Sequence, residues 1–380
     1  MNRIEHQMLN IKDQFPQDPA ITYLNHAAVS PWPRCTADAV TQFSKENVFR
    51  GATDYPGWLK TEANLRQQLA RLIGAPSTHN IALQKNTSEG LSVIAYGLEW
   101  QAGDQVVISD QEFPSNRIVW ESLQQFGVEI VEVDISVPDP EASIIKHLTP
   151  KVRLLSISSV QYGTGLVLDL DRLGQACATR DTLFCVDAIQ SLGALPFDVT
   201  DCKADFVVAD GHKWMMGPEG VALLYLSDRV LNSLKLNQYG WHMVQDRGNY
   251  DVKTWQSAID ATRYECGSPN MLGAVALSSS IGLLLDIGLD QVHSELMARM
   301  DHLERRLQEI TAIDIITDTS RSLRSGILTF RHSQIESLAL QKQLQSAGVI
   351  CAYRGGGIRF SPHFYTPLDQ LDKAVDLIPR

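Results

Sequence analysis

The sequence predicts an α/β fold with a mostly parallel sheet, followed by a smaller α+β unit. Between residues 81 and 226, short apolar runs alternate with helical segments, a pattern typical of parallel sheets covered on both faces. From about Gly288 onward the pattern changes to amphipathic helices and short strands. We therefore expect a large domain over residues 23–287 and a small α+β domain formed by residues 1–22 and 288–380.

Each predicted strand is an apolar run short enough to be buried in a sheet. The predicted strands of the large domain cover residues 81–83, 105–109, 128–133, 153–158, 183–187, 205–209 and 221–226. Helices are expected over residues 37–71, with an interruption at GATDYPGW, and over residues 115–126 and 170–179. In the small domain we expect helices over 292–310 and 335–345 and strands over 313–316 and 325–330.

Five of these strands end on polar residues, and the carboxyl ends of parallel strands lie at one edge of a sheet. The polar ends are residues 86–88, 110–113, 158–161, 187–190 and 210–213. Stability alone does not explain polar side chains at this edge. We expect a site there for a ligand that is both anionic and aromatic.

Composition excludes two classes of function. The 380 residues carry a formal net charge of -11, whereas nucleic-acid binding requires clustered Lys and Arg. No apolar stretch reaches the length of a bilayer span and the N-terminus has no apolar h-region, so we expect no membrane partner and a cytoplasmic location. The six cysteines lack the spacing of zinc ligands, so we expect reduced thiols and no metal.

The stretch from residue 186 to 226 carries the clearest chemistry. Asp187 ends one apolar run and Lys213 follows the next, so both should reach the same sheet edge. A lysine flanked by His212 and Trp214 and followed by GPEG suits a Schiff base with a carbonyl compound. A buried carboxylate can keep a pyridine nitrogen protonated. The alternative is a structural ion pair between Asp187 and Lys213.

A second part of the site is predicted where the run 81–83 meets a helix. Thr87 and Ser88 lie at the start of that helix, where free backbone N–H groups and the helix dipole favour a phosphate. The alternative is a simple N-cap, with Thr or Ser followed by Glu89. Lysine, acid and phosphate cradle together are what pyridoxal 5'-phosphate requires, so we predict this cofactor.

The segments DAIQ, GHKW and GPEG resemble the class V aminotransferase family of fold-type I enzymes that depend on pyridoxal phosphate. The family includes cysteine desulfurases, kynureninases and isopenicillin N epimerases. The resemblance extends from YLNHAAVSP near the start of the chain to IRFSPHFYTP near its end. It implies the fold of that family and a covalent bond between Lys213 and the cofactor.

The resemblance also implies a role for each residue around the cofactor. Asp187 pairs with the pyridine nitrogen, Gln190 bonds the phenolic oxygen, and Thr87, Ser88 and His212 contact the phosphate. Phe113, in the segment EFPSN, is expected to cover one face of the ring and Ile189 the other. Trp241 lies in a segment similar to the loop that kynureninases use near the phosphate.

The substrate is expected to contact residues from both ends of the chain. The planar fork of Arg359 suits an α-carboxylate, and the resemblance gives it that role, with a domain-interface salt bridge as the alternative. Asn25 and His26 lie on an irregular loop that lines the pocket, although for His26 a turn histidine bonded to nearby backbone is an equal alternative.

The tract RYECGSPNML resembles the family segment that crosses a dimer interface. Ser268 and Asn270 are therefore expected to reach the phosphate of the partner subunit, which implies a homodimer with a shared active site. The alternative is a simple helix-entry turn at Pro269 and Asn270, and the two interpretations are compatible.

Two departures from the family limit the possible reactions. Many relatives have Ser or Thr where this chain has Asp210, so we expect this acid to point away from the phosphate, towards a helix end or His212. In desulfurases a loop before the substrate arginine carries a persulfide-forming cysteine. Here YRGGGIRF leaves no room for that loop, and we expect Cys351 to be buried.

These roles predict an enzyme that binds an α-amino acid through Arg359 and removes its Cα proton with Lys213. An aminotransferase is favoured, because transamination needs no additional nucleophile. A β-lyase or an amino-acid epimerase of the same family is the alternative. A protein that binds pyridoxal phosphate without turnover is a more remote one.

Overall fold

The computed structural model of the protein describes residues 11–251 and 253–380. A two-residue strand, β1 (Thr22–Tyr23), precedes a central sheet of seven strands. In chain order these strands are β2 (Ile81–Gln84), β3 (Gln105–Ser109), β4 (Glu129–Val133), β5 (Val152–Ser158), β6 (Leu183–Asp187), β7 (Phe206–Asp210) and β8 (Ala222–Leu226). Their spatial order is β2-β8-β7-β6-β5-β3-β4.

The central sheet is mostly parallel, as predicted. Only β8 runs against its neighbours β7 and β2. Strands β6, β7 and β8 are buried along their whole length, because helices cover the sheet. The carboxyl ends of β2, β3, β5, β6 and β7 consequently lie at one edge, together with the start of β8.

Helices before and between these strands cover the sheet. They are α1 (Arg34–Arg50), α2 (Tyr55–Leu72), α3 (Thr87–Gly97), α4 (Ser115–Glu121), α5 (Pro140–His147) and α6 (Leu170–Ala178). The helix predicted over 115–126 is α4 followed by a 3-10 turn, which ends at Gly127 with a φ of 81°. The break predicted at GATDYPGW is shorter than expected, because Asp54 caps α2 and Pro56 fits its first turn.

Two further helices are joined at a sharp bend. Helix α7 (Met271–Ile287) is capped by Gly288, whose φ of 96° favours glycine. Helix α8 (Leu289–Gln308) follows, and the two helices are bent by 83° relative to each other. The domain division predicted between residues 287 and 288 falls at this bend and stays a prediction. Residues 1–10, also assigned to the small domain, lie outside the described residues.

A second sheet contains four antiparallel strands. They are β9 (Ile313–Ile315), β10 (Leu328–His332), β12 (Ala352–Arg354) and β13 (Gly357–Phe360), in the order β12-β13-β10-β9. Strand β11 (Val349–Ile350) pairs instead with β1, and helices α9 (Ser337–Ser346) and α10 (Leu368–Asp376) complete the unit.

The strand predicted over 325–330 begins three residues late, at Leu328. Ser325 donates to the carbonyl of Gly165 instead of joining the ladder, and Gly326 packs against Trp214. No single described helix has the length and apolar composition of a membrane span. Helices α7 and α8 pass that test only when taken together across their 83° bend.

Candidate active site

A cavity of about 330 Å³ opens at the carboxyl edge of the central sheet. Five strand ends and the β12-β13 hairpin of the smaller sheet contribute to its wall. The lining residues used below are Thr87 and Ser88 after β2, Phe113 after β3, Tyr162 after β5, Asp187, Ile189 and Gln190 from β6 onward, Asp210, His212 and Lys213 from β7 onward, and Arg354 and Arg359.

Asp187 and Lys213 are both buried in the wall of this cavity, with exposed fractions of 2% and 8%. Burial raises the pKa of the Asp187 carboxyl above its ordinary value. Burial likewise lowers the pKa of Lys213, against the opposing attraction of Asp187. The two side chains form no ion pair with each other, so the structural alternative considered for them is wrong. The carboxylate of Asp187 and the amine of Lys213 are therefore both available to a ligand.

One oxygen of Asp187 is held by the backbone. Its Oδ1 accepts a hydrogen bond of 3.0 Å from the backbone N of Ile189. Its Oδ2 accepts none from any residue in the described ranges. A buried carboxylate with one oxygen held and the other available suits a protonated ring nitrogen, which would supply the missing donor and charge.

The start of α3 forms a cradle for an anion. The N-cap is Asn86, whose Oδ1 accepts from the backbone N of Glu89 at 2.8 Å. Thr87 and Ser88 therefore do not serve as the cap, and their hydroxyls lie at the cavity. The first N–H groups of the helix have no partner within it. This geometry favours the phosphate interpretation over the simple N-cap.

The carboxylate of Asp210 turns towards His212, which is one of the two arrangements expected for it. Asp210 lines the cavity, and its backbone N donates to Thr87 Oγ1 at 3.1 Å. Its Oδ1 lies 3.0 Å from Nδ1 of His212, one of the two partners expected for it, although the atoms are not aligned for a hydrogen bond. The contact places a carboxylate and an imidazole together beside the phosphate cradle.

The remaining residues predicted to hold the cofactor ring also meet here. Phe113 packs edge-to-face against Tyr162, with ring centroids 5.1 Å apart, and lies 5.6 Å from Nζ of Lys213. Ile189 and Gln190 lie in the same wall. The amide of Gln190 donates to the carbonyl of Ala27 at 3.0 Å.

Arg359 is a buried cation with no acidic partner in the part of the chain that the structure describes. Its exposed fraction is 2%, and burial, reinforced by the charge of Arg354, lowers its pKa to about 10. One terminal nitrogen donates to the carbonyl of Tyr162 at 2.7 Å and the other to Oδ1 of Asn25 at 3.4 Å. Nε is buried and unpartnered among the described residues. The domain-interface salt bridge considered for Arg359 is therefore absent.

His26 does not line the cavity, so the substrate contact predicted for it is wrong. Its ring is fully buried, with Nδ1 2.8 Å from the carbonyl of Ser361 and Nε2 2.8 Å from the hydroxyl of Tyr365. Burial lowers the pKa of His26 to about 4, so the ring is neutral. The backbone-bonded alternative holds, with the partner carbonyl supplied from the other end of the chain.

Two more predicted residues lie in other cavities of this chain. Trp241 lines one of about 380 Å³, and Ser268 lines one of about 530 Å³ together with Asn270. Neither lines the cavity of Lys213. Asn270 also caps α7, accepting from the backbone N of Gly273 at 2.9 Å, so the helix-entry interpretation holds for it.

Sequence reasoning missed Tyr162 and Arg354. Tyr162 directly follows the polar strand end 158–161, and Arg354 lies in the segment YRGGGIRF that contains Arg359, so each is a sequence neighbour of residues that were predicted to form the site. Neither residue was singled out, because an exposed arginine on a hairpin and a tyrosine in a loop have no periodicity that marks them.

One buried cluster has the ligand atoms of a metal site but already holds a cation. Carboxylate and imidazole atoms of Glu62, His242 and Glu265 lie within 4.8 Å of one another. The guanidinium of Arg66 bonds both carboxylates and is buried with them. Because Arg66 neutralises these acids, the cluster is explained as an ion-pair network that ties α2 to Glu265.

The fold and this site define a class of enzymes that hold pyridoxal phosphate through a lysine, an acid and a helix N-terminus. The residues fit the cofactor: Asp187 has a free oxygen, Lys213 a buried amine and α3 an anion cradle.

The sequence comparisons agree. Residues 22–372 match the family described as Aminotransferase class-V, and the chain belongs to this family. A probable cysteine desulfurase of Methanothermobacter thermautotrophicus is 29% identical over 377 residues, covering 92% of each chain. An isopenicillin N epimerase of Streptomyces clavuligerus is 26% identical over 381 residues, covering 95% of each chain.

A solved structure, the cystine C-S lyase C-DES in complex with its product cysteine persulfide, superposes with a TM-score of 0.88. It is 22% identical and covers 96% of this chain and 98% of its own, so it establishes the fold. The predicted family, fold type and cofactor are confirmed. The chain is an enzyme that depends on pyridoxal phosphate.

The lowered pKa of Lys213 predicts how the apoprotein captures its cofactor as the pH changes. Only a neutral amine attacks a carbonyl carbon, so the rate follows the deprotonated fraction of Lys213. An ordinary lysine, with a pKa of 10.5, would place the midpoint of the rise near 10.5, whereas Lys213 places it near 8. Stopped-flow absorbance after mixing apoprotein with pyridoxal phosphate measures this profile.

Nα-acetyl-lysine in the same buffers provides the reference curve for a solvated amine. A protein curve that overlays this reference would show that burial does not activate Lys213.

Proposed function

We propose that this enzyme is a β-lyase that expels a sulfur-containing group from the β-carbon of an amino acid such as cystine. The names of its relatives support this choice. Probable cysteine desulfurases are among the curated proteins to which it is similar, and a cystine C-S lyase shares its fold. These are reactions at the carbon–sulfur bond of an amino acid.

The observation that carries the proposal is a cavity with a buried lysine and an unpaired arginine but no thiol among its described lining residues. Cys351, the cysteine nearest in sequence to Arg359, is buried, and burial raises its pKa to about 12. A thiol in that state is a poor nucleophile. Sulfur is therefore expected to leave with the departing group and not to be transferred to the protein.

Arg359 supplies the binding step. Its unpartnered Nε faces no acid of the described chain, and an α-carboxylate provides both the missing acceptor and the missing negative charge. The hydrogen bonds from its terminal nitrogens to Tyr162 and Asn25 hold the guanidinium plane in place. The substrate is oriented by its carboxylate, which leaves its amino group free to react.

Lys213 supplies the proton transfers. Bound pyridoxal phosphate provides a ring that withdraws electrons from the substrate Cα, and Asp187 favours the protonated form of that ring. Lys213 takes the Cα proton, and its lowered pKa suits this role near neutral pH. The Cβ–S bond then breaks with its electron pair on sulfur. With cystine the sulfur leaves as cysteine persulfide, and the remaining three-carbon fragment reacts with one water molecule to give pyruvate and ammonia.

An aminotransferase is the second candidate, because the same cavity residues would serve it. Transamination needs Lys213 to move a proton from Cα to the cofactor and requires no other acid or base. Epimerisation is a further alternative, suggested by the relative from Streptomyces clavuligerus. The three reactions share the roles given to Arg359, Lys213 and Asp187 and differ in the final product.

We also infer that the enzyme is a homodimer in which one protomer completes the site of the other. We infer a cytoplasmic location for it. Trp241 and Ser268 lie outside the Lys213 cavity of their own chain, so their predicted cofactor contacts require a partner. Tyr239, Tyr250 and Trp255 are 63%, 74% and 58% exposed near Trp241, which is unusual for aromatic side chains left in water.

The products distinguish the candidate reactions. Holoenzyme incubated with L-cystine is expected to release pyruvate, ammonia and persulfide sulfur in equal amounts, without accumulation of pyridoxamine phosphate. Pyruvate is measured with lactate dehydrogenase and the cofactor form by chromatography. Pyridoxamine phosphate formed in step with a 2-oxo acid that retains sulfur would contradict the lyase and support the aminotransferase. No turnover of any amino acid would support the binding protein.

The two arginines predict different losses of activity. Arg359→Ala removes charge-assisted hydrogen bonds to the α-carboxylate, which is expected to lower kcat/KM about a hundredfold for every substrate. Arg354 is exposed at the cavity and has no acidic partner among the described residues, so we expect it to bind a second carboxylate. Arg354→Ala should weaken turnover of cystine and spare S-methylcysteine.

Equal losses on cystine and S-methylcysteine in Arg354→Ala would contradict recognition of a second carboxylate. Arg359→Lys serves as the matched variant for Arg359. It keeps the charge but not the planar fork, and it is expected to recover only part of the activity.

A further inference from the structure

We propose that Trp214 is a positioning residue that orients the amide of Gln190, so that Gln190 presents an N–H to the phenolic oxygen of the cofactor. Trp214 follows Lys213 directly in the chain, but its side chain lies behind the cavity wall and not in the cavity lining. Its indole Nε1 donates to Oε1 of Gln190 at 2.8 Å. Both side chains are buried, with exposed fractions of 1% and 2%.

The partners of Gln190 permit only one orientation of its amide. An indole N–H is solely a donor, so the atom facing Trp214 must be the amide oxygen. A backbone carbonyl is solely an acceptor, so the atom facing Ala27 must be the amide nitrogen, at 3.0 Å. A flipped amide would set donor against donor and acceptor against acceptor. The two contacts therefore reinforce each other.

This orientation decides what Gln190 offers to the cavity. Its oxygen is occupied by Trp214, and one of its two N–H groups is occupied by Ala27. The second N–H is left without a partner among the described residues, on a side chain that lines the cavity. The wall therefore presents a donor, which matches a ligand oxygen that carries negative charge.

The indole itself is held by the smaller sheet and its neighbours. The ring of Trp214 packs against His363, with centroids 5.3 Å apart. His363 Nε2 also lies 3.1 Å from the carbonyl of Trp214. A Cβ at Gly326 would lie only 2.4 Å from Cη2 of the indole, so the ring has no space on that side. This series of contacts connects the smaller sheet, through Trp214, to Gln190.

A Trp214→Phe variant tests the proposal in the holoenzyme. It keeps an aromatic ring but removes the N–H, so only the carbonyl of Ala27 still orients the amide of Gln190 and the preference for one orientation is weakened. The dissociation constant of the cofactor is expected to increase about tenfold, which is the effect of losing one ordinary hydrogen bond. The midpoint of the pH titration of its visible absorption is expected to move upward by about one unit, because the donor that stabilises the deprotonated oxygen is weakened.

Trp120→Phe is the matched control. Trp120 is also buried and its Nε1 donates to the side-chain amide of Asn116 at 3.0 Å, but neither residue lines the cavity. This variant is expected to lower thermal stability in the way that Trp214→Phe does, and to leave the absorption midpoint and the cofactor affinity unchanged. An equal spectral shift in both variants would overturn the proposal.

A double-variant comparison separates orientation from general damage. Gln190→Leu removes the amide and should itself shift the midpoint, and Trp214→Phe added to it should shift the midpoint no further. Additive shifts would overturn the proposal, as would an unchanged midpoint in folded Trp214→Phe. If Trp214→Phe does not fold, Gly326→Ala displaces the indole instead, and the same upward shift is expected from it. An unchanged midpoint in Gly326→Ala would then overturn the proposal.

Discussion

The site depends on three ionisable groups that are buried around one cavity without pairing with one another. Asp187, Lys213 and Arg359 are each less than a tenth exposed, and no ion pair joins any two of them. Burying an unpaired charge is costly, so a fold that does this holds the groups for a ligand. A protonated ring nitrogen, a reactive carbonyl and an α-carboxylate are the three complements that would satisfy them.

The topology of the central sheet explains how these groups meet. Parallel strands bring the ends of β6 and β7 to one edge, which places Asp187 and the segment that leads to Lys213 side by side. Because β8 runs antiparallel to β7, the segment that carries Lys213 is a short connection between their adjacent ends, and it lies at the cavity. Arg359 comes from β13 of the other sheet, so the substrate site lies between the two sheets.

The loop after β6 and the loop after β7 also fit together closely. At Gly193, where φ is 95°, a side chain would be strained, and its Cβ would lie 2.5 Å from the carbonyl of Trp214. This contact brings the loop that carries Gln190 against the residue that follows Lys213. Close packing of this kind keeps a catalytic side chain in one geometry, which a surface loop cannot do.

Much of the site could be predicted, because strand ends follow from short-range patterns. The apolar runs before Asp187 and Lys213 predicted both the sheet and the edge at which these residues lie. What the patterns could not supply was contact between distant segments: His26 is bonded by Ser361 and Tyr365, and its sequence neighbours give no sign of that. Asp210 contacts His212 as expected, whereas the hydrogen bond from its backbone N to Thr87 Oγ1 joins distant segments and could not be predicted.

The measurement that tests the central claim most directly is borohydride reduction of the holoenzyme followed by peptide mapping. Reduction fixes the cofactor to the amine that holds it. The visible absorption is expected to disappear, and the added mass is expected on the peptide that contains Lys213 and on no other. Modification of a different lysine, or no stable attachment at all, would contradict the account.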